Sequence, residues 1–281
     1  MEDYLKKIIR DALDEDIQSG DVTTQAIIPE SVFGNGKFLI KANGVIAGLN
    51  VARKVFQLVD EKIIFNQFVD DGKKVNRGEI VAEVTGKASS ILTAERTALN
   101  FLQRMSGIAT MTDKFVEEIS HTKAKILDTR KTVPGLRLLD KEAVRLGGGK
   151  NHRIGLFDMF LIKDNHIEIA GSITKAIDAC RKYQQEKNFN LKIEVETKNL
   201  DEVKEALSCN VDIIMLDNFT IDLTKKAVEI TGGKCLIEAS GNINLENVKE
   251  VAETGVDFIS VGALTHSVKA LDISLEVELI K

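Results

Sequence analysis

Residues 192–218 are K-I-E-V-E-T-K-N-L-D-E-V-K-E-A-L-S-C-N-V-D-I-I-M-L-D-N, and this stretch decides the fold. It contains two short segments with Ile, Val and Leu at their centres, 192–196 (K-I-E-V-E) and 212–217 (D-I-I-M-L-D), each with the length of a buried strand. Between them, apolar residues recur at helical spacing over 200–207. A strand, a helix and a second strand in this order predict a right-handed βαβ unit with parallel strands.

The same alternation extends over the chain from Lys123 onward. Further strands are predicted at 125–128 (K-I-L-D), 159–163 (M-F-L-I-K), 235–240 (C-L-I-E-A-S) and 257–262 (D-F-I-S-V-G). Helical stretches are predicted at 172–186, 223–230 and 245–254. Repeated strand–helix units without a Rossmann glycine fingerprint favour closure of the parallel sheet into an α/β barrel.

The N-terminal part of the chain has a different pattern. Helices are predicted at 4–14 and 49–59. Short segments separated by Gly, Asn and Asp turns, at 36–41, 62–66 and 80–84, predict antiparallel strands of a compact β-sandwich module. A carrier domain has a similar pattern of turns. The sequence lacks a modifiable Lys in an M-K-M-like tip, so a structural module is favoured.

The longest helical pattern follows this module, over residues 91–119. Its apolar residues fall mostly three or four apart, which is typical of a helix with one buried face. Gly107 lies inside the pattern, and it predicts a bend between two helices.

Polar residues or glycine stand at the ends of the predicted barrel strands. They are Arg130, Lys163, Glu196, Asp217, Ser240 and Gly262. Because the carboxyl ends of barrel strands meet on one rim, where barrel enzymes place their chemistry, this pattern indicates an enzyme. Singly, each residue has an ordinary explanation: Lys163 could be a rim lysine, and His152 a loop histidine satisfied by its neighbours.

Positive charge is concentrated in residues 123–163, which contain ten Lys and Arg against four Asp and Glu, a net charge of +6. The whole chain carries −5, so the remaining residues sum to −11. A local cationic pocket in an acidic protein favours a small polyanionic ligand, whereas nucleic acid would favour a broad basic face. Gly147–Gly149, in the same segment, predict a close backbone approach to that anion.

Acidic residues are expected on the same rim. Glu194 and Glu196 are two apart in a strand and therefore point to one face, where unpaired burial would be costly unless a metal ion or opposing cations lie beside them. Asp217 offers an oxygen ligand to Mg²⁺ or an acceptor for sugar hydroxyls. S-G-N at 240–242 and S-V-G at 260–262 predict turns that hold a phosphate. Together these groups predict a small carboxylate and a phosphorylated sugar as substrates.

Composition sets the broad class of the protein. The 281 residues are 43% apolar and 29% charged, as in globular proteins. The sequence has no apolar run near the ~18 residues of a membrane span, and M-E-D-Y-L-K-K is unlike a secretory signal. Cys180, Cys209 and Cys235 are widely spaced without a C-x-x-C, which favours buried free thiols in a reducing cytoplasm. We therefore expect a cytoplasmic protein without nucleic-acid or membrane partners.

Long ordered blocks of the chain resemble a known family. The blocks are D-V-T-T (21–24), T-A-E-R-T-A-L-N-F-L-Q-R-M-S-G-I-A-T (93–110), D-T-R-K-T-V-P-G-L-R (128–137), G-G-G-K-N-H-R (147–153), L-I-K-D-N-H (161–166), E-V-E (194–196), I-M-L-D-N-F (214–219) and I-S-V-G-A-L-T-H-S (259–267). They are similar to quinolinate phosphoribosyltransferases, the carboxylating nicotinate-nucleotide pyrophosphorylases of NAD synthesis. The resemblance implies an N-terminal α/β sandwich domain and an incomplete, about seven-stranded α/β barrel. Expected domain bounds are 1–105, with 267–281 returning to this domain, and 106–266 for the barrel.

The resemblance also implies a reaction and a set of site residues. Members of the family convert quinolinate and phosphoribosyl pyrophosphate to nicotinate mononucleotide, CO₂ and pyrophosphate with Mg²⁺. Lys163, Glu196 and Asp217 are expected to be catalytic, and Glu196 and Asp217 to bind the ribose and Mg²⁺. The expected substrate-binding set is Arg96 (from a partner subunit), Thr129, Arg130, Lys131, His152, Arg153, Lys163, Glu196, Asp217, Ser240, Gly241, Asn242, Ser260, Val261 and Gly262.

The resemblance also implies which of these residues bind which part of the two substrates. The quinolinate carboxylates are expected on Arg96, Arg130, His152, Arg153 and Lys163, with Lys131 in the same cationic lining. The 5′-phosphate is expected on the turns at 240–242 and 260–262. Since Arg96 is expected from a second chain, the implied assembly is a homodimer or a higher homo-oligomer with shared sites.

Two other functions fit parts of the sequence. One is a relative of the same fold, tied to molybdenum transport, that acts on another base, and turnover with quinolinate against nicotinate separates the two. The other is a non-catalytic regulator that binds a phosphoribosyl group or nucleotide. A regulator would tolerate loss of the Lys163 and Glu196 pattern, which is intact here.

Overall fold

The computed structural model describes residues 2–280, which form eleven helices and twelve strands. The helices are α1 (Glu2–Ile17), α2 (Val22–Ile27), α3 (Leu49–Val59), α4 (Ala88–Glu118), α5 (Arg137–Leu146), α6 (Asp164–Ala170), α7 (Ile173–Lys187), α8 (Leu200–Ser208), α9 (Ile221–Thr231), α10 (Val248–Glu253) and α11 (Ala263–His266). The strands are β1 (Phe33–Ile40), β2 (Gly44–Val45), β3 (Ile64–Gln67), β4 (Lys74–Val75), β5 (Ile80–Lys87), β6 (Lys125–Leu127), β7 (Phe160–Ile162), β8 (Ile193–Thr197), β9 (Ile213–Asp217), β10 (Leu236–Ser240), β11 (Phe258–Ser260) and β12 (Ile273–Ile280).

The chain divides into two compact units. The first consists of Met1–Asp113, Val133–Gly148 and Val268–Lys281, and the second of Lys114–Thr132 and Gly149–Ser267. The division differs from the predicted bounds mainly at 133–148, which were expected in the barrel domain.

An antiparallel sheet forms the centre of the first unit, with the strand order β12-β1-β5-β3. Successive residues of β1 alternate between buried and more exposed positions, as the two-residue period of a half-covered strand requires. On the buried face, Phe38 packs against Phe56 of α3 and Phe65 of β3, with ring centroids 6.0 and 5.6 Å away. The predicted antiparallel module is confirmed.

The last strand of the chain completes this sheet. β12 pairs with β1 over eight residues, from Phe33 opposite Ile280 to Ile40 opposite Ile273. On its other side β1 pairs with β5. The strand nearest the N-terminus is therefore an inner strand only because the C-terminal strand covers its outer edge.

The predicted bend at Gly107 is wrong, because α4 runs unbroken for 31 residues. Gly107 serves close packing instead. A Cβ atom at this position would lie 3.0 Å from the Cα of Ala270 and closer still to the carbonyl oxygen of Lys269. The absence of a side chain therefore lets the segment before β12 pass directly over the helix.

Residues 133–148 belong to the first unit through specific contacts. Arg104 of α4 makes two hydrogen bonds to the buried carboxylate of Asp140 in α5, at 2.9 and 2.8 Å. Gly147 packs so tightly on α4 that a Cβ atom would lie 2.7 Å from the Cβ of Thr112. The prediction that Gly147 approaches an anion is therefore wrong. The absence of a side chain at this position makes room for α4.

Six parallel strands form the second unit, in the order β6-β11-β10-β9-β8-β7. Lys150 adds a one-residue parallel bridge to Leu127 on the free side of β6. Its N–H donates to the carbonyl of Ile126 at 2.8 Å. Among residues 2–280 no ladder joins this bridge to β7, so the barrel is incomplete, as expected, with six strands and a seventh position held by one residue.

Helices α7, α8 and α9 cover these strands, and polar caps fix where they begin. Ser172, Asn199 and Thr220 each accept hydrogen bonds from backbone N–H groups in the first turn that follows. Four of the five residues of β9 are buried, as expected for a parallel strand covered on both faces. Because α8 and α9 begin only a few residues after β8 and β9 end, the polar residues at these strand ends lie on one rim of the sheet.

Two whole-chain expectations can be compared with the structure. Across the described residues, no helix has the combination of length and apolar character that crossing a membrane requires. Cys180, Cys209 and Cys235 are free thiols, as predicted, but each is half-buried rather than fully buried.

We predict that Gly107→Ala destabilises the protein by about 1–3 kcal/mol, because the added methyl overpacks against the 269–270 backbone. In an unconstrained helix the same change would stabilise by about 1 kcal/mol through helix propensity, so the sign of the effect is diagnostic. Chemical denaturation measures it, with Asn100→Ala, at an exposed position of α4, as the control. A Gly107→Ala variant at least as stable as wild type would contradict the close packing.

Candidate active site

A cavity of about 860 Å³ opens at the carboxyl ends of the parallel strands in the second unit. Its lining residues are Thr129, Arg130, Lys131, His152, Arg153, Leu161, Lys163, Glu196, Met215, Asp217, Asn218, Glu238, Ser240, Gly241, Asn242, Ile243, Ser260, Gly262, Ala263 and His266. Residues at or directly after the carboxyl ends of β6, β7, β8, β9, β10 and β11 all contribute, because parallel strands end on the same side of their sheet.

Of the fifteen predicted site residues, thirteen line this cavity, and Arg96 and Val261 do not. The side chain of Val261 is 1% exposed, and its N–H donates to the carbonyl of Leu127 at 2.9 Å. That N–H is therefore used in the sheet and is not offered to a phosphate. Arg96 is exposed on α4 in the first unit, and its role across subunits stays a prediction.

Cationic side chains cluster on the cavity wall around Arg130 and Arg153. Burial lowers the pKa of the Arg153 guanidinium, and the positive charge of Arg130 lowers it further. Arg153 is held by the carbonyl of Met159, which its Nη1 reaches at 3.3 Å. Two crowded, partly desolvated guanidinium groups favour the binding of a carboxylate-rich anion.

The predicted acids Glu196 and Asp217 lie at the ends of the neighbouring strands β8 and β9. A carboxylate oxygen of Glu196 is 3.4 Å from the ammonium nitrogen of Lys163. Oδ1 of Asp217 accepts a hydrogen bond from Nδ2 of Asn218 at 3.0 Å. Both residues line the cavity, and carboxylate oxygens are hard donors of the kind that suit Mg²⁺.

A second pair of carboxyl groups, Glu194 and Glu238, has 0% of either side chain exposed, and Glu238 is one of the residues that line this cavity. Nε2 of His152 lies 3.0 Å from an oxygen of Glu194 and 3.5 Å from one of Glu238. The hydroxyl of Ser260 donates to the other oxygen of Glu238 at 2.6 Å. We refer to these four residues as the buried carboxyl cluster.

Burial makes at least one carboxyl group of this cluster retain a proton. Desolvation raises the pKa of Glu194 to about 7. It raises the pKa of Glu238 to about 8, with a further contribution from the neighbouring Glu194 carboxylate. Because each carboxylate raises the cost of ionising the other, the two groups titrate as a pair. The expectation that opposing charge must accompany buried Glu194 is met by a proton and by nearby Arg153.

The buried carboxyl cluster has residue types that bind metals, and its ligand atoms lie within 4.8 Å of one another. The tautomer of His152 argues against a metal there. Its Nδ1 accepts the N–H of Arg153 at 2.7 Å, so a neutral imidazole carries its hydrogen on Nε2 and donates it toward Glu194. A metal ion on Nε2 would require the opposite tautomer and would break the bond to Arg153.

Both nitrogens of His152 face groups of the protein: Nδ1 accepts the N–H of Arg153, and Nε2 lies close to the carboxyl oxygens of Glu194 and Glu238. Asp128, which is fully buried, holds the same segment by accepting the N–H of His152 at 2.9 Å and an amide hydrogen of Asn151 at 2.6 Å. His152 therefore lines the cavity mainly as an anchor for the segment that carries Arg153. Its expected contact with a substrate carboxylate stays a prediction.

Two small-residue turns complete the lining. Gly241 has a φ of 100° and Asn242 a φ of 52°, both in the left-handed region. Gly262 lies close to Lys131 and His266, since a Cβ atom on it would approach their side chains to 3.2 and 3.1 Å. Glycine at these positions lets backbone groups reach a ligand that side chains would block.

The comparison with known proteins agrees with this geometry. The profile described as "Quinolinate phosphoribosyl transferase, C-terminal domain" matches residues 108–276, and that of the N-terminal domain matches residues 21–106. The chain belongs to the quinolinate phosphoribosyltransferase family.

Similar proteins span nearly the whole chain. A tobacco protein, "Quinolinate phosphoribosyltransferase [decarboxylating] 2b, mitochondrial" from Nicotiana tabacum, is 47% identical over 98% of this chain and 82% of its own length. A "Probable nicotinate-nucleotide pyrophosphorylase [carboxylating]" from Bacillus subtilis is 43% identical, covering 98% and 94%. The solved structure of the nicotinate-nucleotide pyrophosphorylase from Francisella tularensis matches with a TM-score of 0.94 and 45% identity, over 99% of this chain and 97% of that one.

Seven cavity residues of this quinolinate phosphoribosyltransferase chain were not predicted, and three of them are polar: Asn218, Glu238 and His266. Asn218 follows Asp217 directly, and its left-handed φ of 56° was invisible in the sequence. Glu238 is an acid inside an apolar strand, the same signal that drew attention to Glu194. His266 belongs to the block at 259–267 that carried the resemblance, but no spacing rule connects it to the rim.

We predict that the stability of Glu238→Gln falls less with rising pH than the stability of the wild-type protein. The folded-state pKa values of Glu238 and Glu194 lie above the unfolded value of 4.5, so their contribution to stability is complete below about pH 4.5 and is lost as the pH rises through about 7 and 8. The amide cannot ionise, yet it can still accept from Ser260. Thermal melts at about pH 5.5 and 8.5 should therefore differ less in this variant than in wild type. Glu229→Gln, at an exposed position of α9, is the control, and equal pH dependence in all three proteins would show that Glu238 is ionised throughout.

Proposed function

We infer that this chain transfers the phosphoribosyl group of phosphoribosyl pyrophosphate to quinolinate with loss of CO₂, giving nicotinate mononucleotide and pyrophosphate in NAD biosynthesis. The observation that carries the inference is one cavity in which Arg130, Arg153 and Lys163 stand with Glu196 and Asp217. A dicarboxylate needs the cations, and a ribose that develops positive charge needs the acids. One similar protein is named for quinolinate, phosphoribosyl transfer and decarboxylation, and another for nicotinate nucleotide and pyrophosphate.

Quinolinate is held, in this proposal, by Arg130, Arg153 and Lys163. Arginine binds a carboxylate through two parallel hydrogen bonds, which fixes the plane of the group as well as its position. Fixing both carboxylates aims the lone pair of the ring nitrogen at the anomeric carbon of the ribose. Such orientation removes much of the entropic barrier to the attack.

The sugar phosphate lies, in this proposal, along the other wall. Glu196 and Asp217 accept hydrogen bonds from the ribose hydroxyls and stabilise the oxocarbenium-like charge that forms as pyrophosphate leaves. The turns 240–242 and 260–262 offer backbone N–H groups to the 5′-phosphate, with Val261 excepted because its N–H is used in the sheet. Lys131 and His266 lie beside Gly262 and add positive charge or a hydrogen-bond donor there.

Mg²⁺ fits the donor set, since Glu196 and Asp217 offer carboxylate oxygens in the lining. When bound, the ion neutralises charge on the departing pyrophosphate. Glu196 also contacts Lys163, so this lysine and the ion would share the neutralisation of one carboxylate.

Loss of CO₂ follows from the charge produced in the first step. After the attack, the ring nitrogen is cationic, and the carboxylate on the adjacent carbon leaves with its bonding electrons retained by that carbon. The adjacent positive charge stabilises the resulting carbanion as an ylide, and a proton then takes the place of CO₂. The cations that held this carboxylate need only hold the ring in position during this step.

We also propose a homodimer or larger homo-oligomer in which Arg96 of one chain reaches the site of another. Arg96 is exposed on α4, and its predicted role needs a second chain. A cytoplasmic location is proposed from the three free thiols, although the tobacco protein is named as mitochondrial.

A direct assay tests the function. Purified protein with quinolinate, phosphoribosyl pyrophosphate and Mg²⁺ should release pyrophosphate and CO₂ in equal amounts, and nicotinate in place of quinolinate should give no turnover above background. Arg153→Ala should raise KM for quinolinate far more than KM for phosphoribosyl pyrophosphate. Turnover with nicotinate but not quinolinate would indicate a relative acting on another base, and binding without any turnover would indicate a regulator.

Subunit complementation tests the shared site. Arg96→Ala and Lys163→Ala should each be nearly inactive, because every site lacks one cation. In a mixed dimer one site carries both changes and the other neither, so random exchange should restore up to about a quarter of wild-type activity.

The matched control for this experiment mixes Lys163→Ala with Glu196→Ala, whose changes fall in the same chain's cavity. Every site of that mixed dimer has one defect, so no activity should return. Exchanged dimers of Arg96→Ala and Lys163→Ala, verified by mass spectrometry, that remain inactive would place Arg96 in its own chain's site or in none.

A further inference from the structure

Asn218 connects two parts of the cavity that the proposed function assigns to different pieces of one substrate. Its Nδ2 donates to Oδ1 of Asp217 at 3.0 Å. Its Oδ1 accepts from Nδ2 of Asn242 at 3.0 Å. Its backbone N–H donates to the carbonyl of Ser240 at 2.8 Å. One residue therefore links the carboxylate at the end of β9 to the turn at the end of β10.

The orientation of this amide is fixed by chemistry. The carboxylate of Asp217 only accepts hydrogen bonds when ionised, so the NH₂ end of Asn218 must face it. The carbonyl end then faces Asn242, which must donate. Each alternative orientation would place two acceptors or two donors together, so the link from Asp217 to Asn242 has only one arrangement.

The turn is shaped around this side chain. Gly241 has a φ of 100°, and a Cβ atom on it would lie 2.5 Å from Cγ of Asn218. On the far side, Nδ2 of Asn247 donates to the carbonyl of Asn242 at 3.0 Å. The turn is therefore held from two sides, and only glycine at position 241 lets it close on the Asn218 amide.

The backbone at Asn218 is suited to the same task. Its φ of 56° is left-handed, a conformation that asparagine adopts more readily than most residues and glycine adopts freely. The chain therefore turns back at Asn218 immediately after Asp217, which places the amide beside the carboxylate of the preceding residue. Aspartate at this position would place a second carboxylate beside Asp217 instead.

We propose that Asn218 is a positioning residue that holds the Asp217 carboxylate and the 240–242 turn at a fixed spacing, matched to the ribose and the 5′-phosphate of one ribose 5-phosphate unit. The proposal rests on the proposed function for the identity of the substrate. In the proposed function Asp217 binds the ribose and the 240–242 turn binds the 5′-phosphate. A change in the distance between Asp217 and the turn therefore weakens both contacts together. Quinolinate, on the cations of the other wall, is unaffected by this spacing.

Glycine and aspartate substitutions separate the parts of the link. Asn218→Gly keeps the left-handed backbone and its N–H but removes the amide. Asn218→Asp keeps the shape and the acceptor toward Asn242 but loses the donor to Asp217. The control is Asn210→Gly, since Asn210 is exposed, has a φ of 51°, and lies outside the cavity lining.

Steady-state kinetics with both substrates is the main test. Asn218→Gly should raise KM for phosphoribosyl pyrophosphate roughly tenfold and lower kcat, with KM for quinolinate changed less than about twofold. Asn218→Asp should be at least as impaired, and Asn210→Gly should match wild type. Melting temperatures of the two glycine variants within about 2 °C of each other would exclude a general loss of stability.

Calorimetry with ribose 5-phosphate separates this proposal from the function itself. Its binding should weaken roughly tenfold in Asn218→Gly relative to Asn210→Gly, whichever base the protein uses. Wild-type protein that binds ribose 5-phosphate but does not turn over quinolinate would overturn the proposed function alone. Unchanged ribose 5-phosphate affinity and unchanged kinetics in Asn218→Gly, or equal effects on both substrates, would overturn the role of Asn218. Wild-type protein that turns over quinolinate but does not bind ribose 5-phosphate would overturn the role of Asn218 alone.

Discussion

Glu194 and Glu238 bring two carboxyl groups into the interior of the parallel sheet, where neither reaches solvent. Ionising both there would cost several kcal/mol, a large fraction of the net stability of a domain. The structure offsets this cost with a retained proton, the Nε2–H of His152 and the hydroxyl of Ser260. His152 and Ser260 come from two separate places in the chain, so satisfying the two acids ties β8, β10, β11 and the segment before β7 together beneath the cavity.

The cationic wall depends on that anchoring. His152 is fixed by Glu194 on one nitrogen and by the N–H of Arg153 on the other, so the backbone that carries Arg153 cannot shift without breaking the buried carboxyl cluster. Arg130 and Arg153 repel each other, and an empty site therefore stores unfavourable energy that a bound dianion relieves. Preorganised positive charge of this kind favours the ligand most when water is excluded.

Much of the second unit could be predicted from sequence because its strands are apolar and its strand ends are polar. Parallel pairing then brought Lys163, Glu196 and Asp217 to one cavity without further information. The features that could not be predicted depend on backbone conformation and on packing between segments distant in sequence. Gly107 and Gly147 were assigned a bend and an anion site, but each makes room for a neighbouring segment that is distant in sequence. The use of the Val261 N–H in the sheet, like the tautomer of His152, depends on hydrogen bonds that no residue pattern specifies.

The pairing of β12 with β1 also has a consequence for how the protein is made. The ribosome releases β1 early, yet its sheet partner on one side emerges roughly 230 residues later, a delay of roughly 10–50 s at ordinary rates of translation. Throughout that interval the outer edge of β1 presents unpaired N–H and C=O groups, the usual starting point for aggregation. Lys37 lies in the middle of this strand, and a charge there discourages pairing with a foreign strand until the native one arrives. Synthesis that stops before β12 leaves the second unit's sequence complete and the first sheet with an open edge.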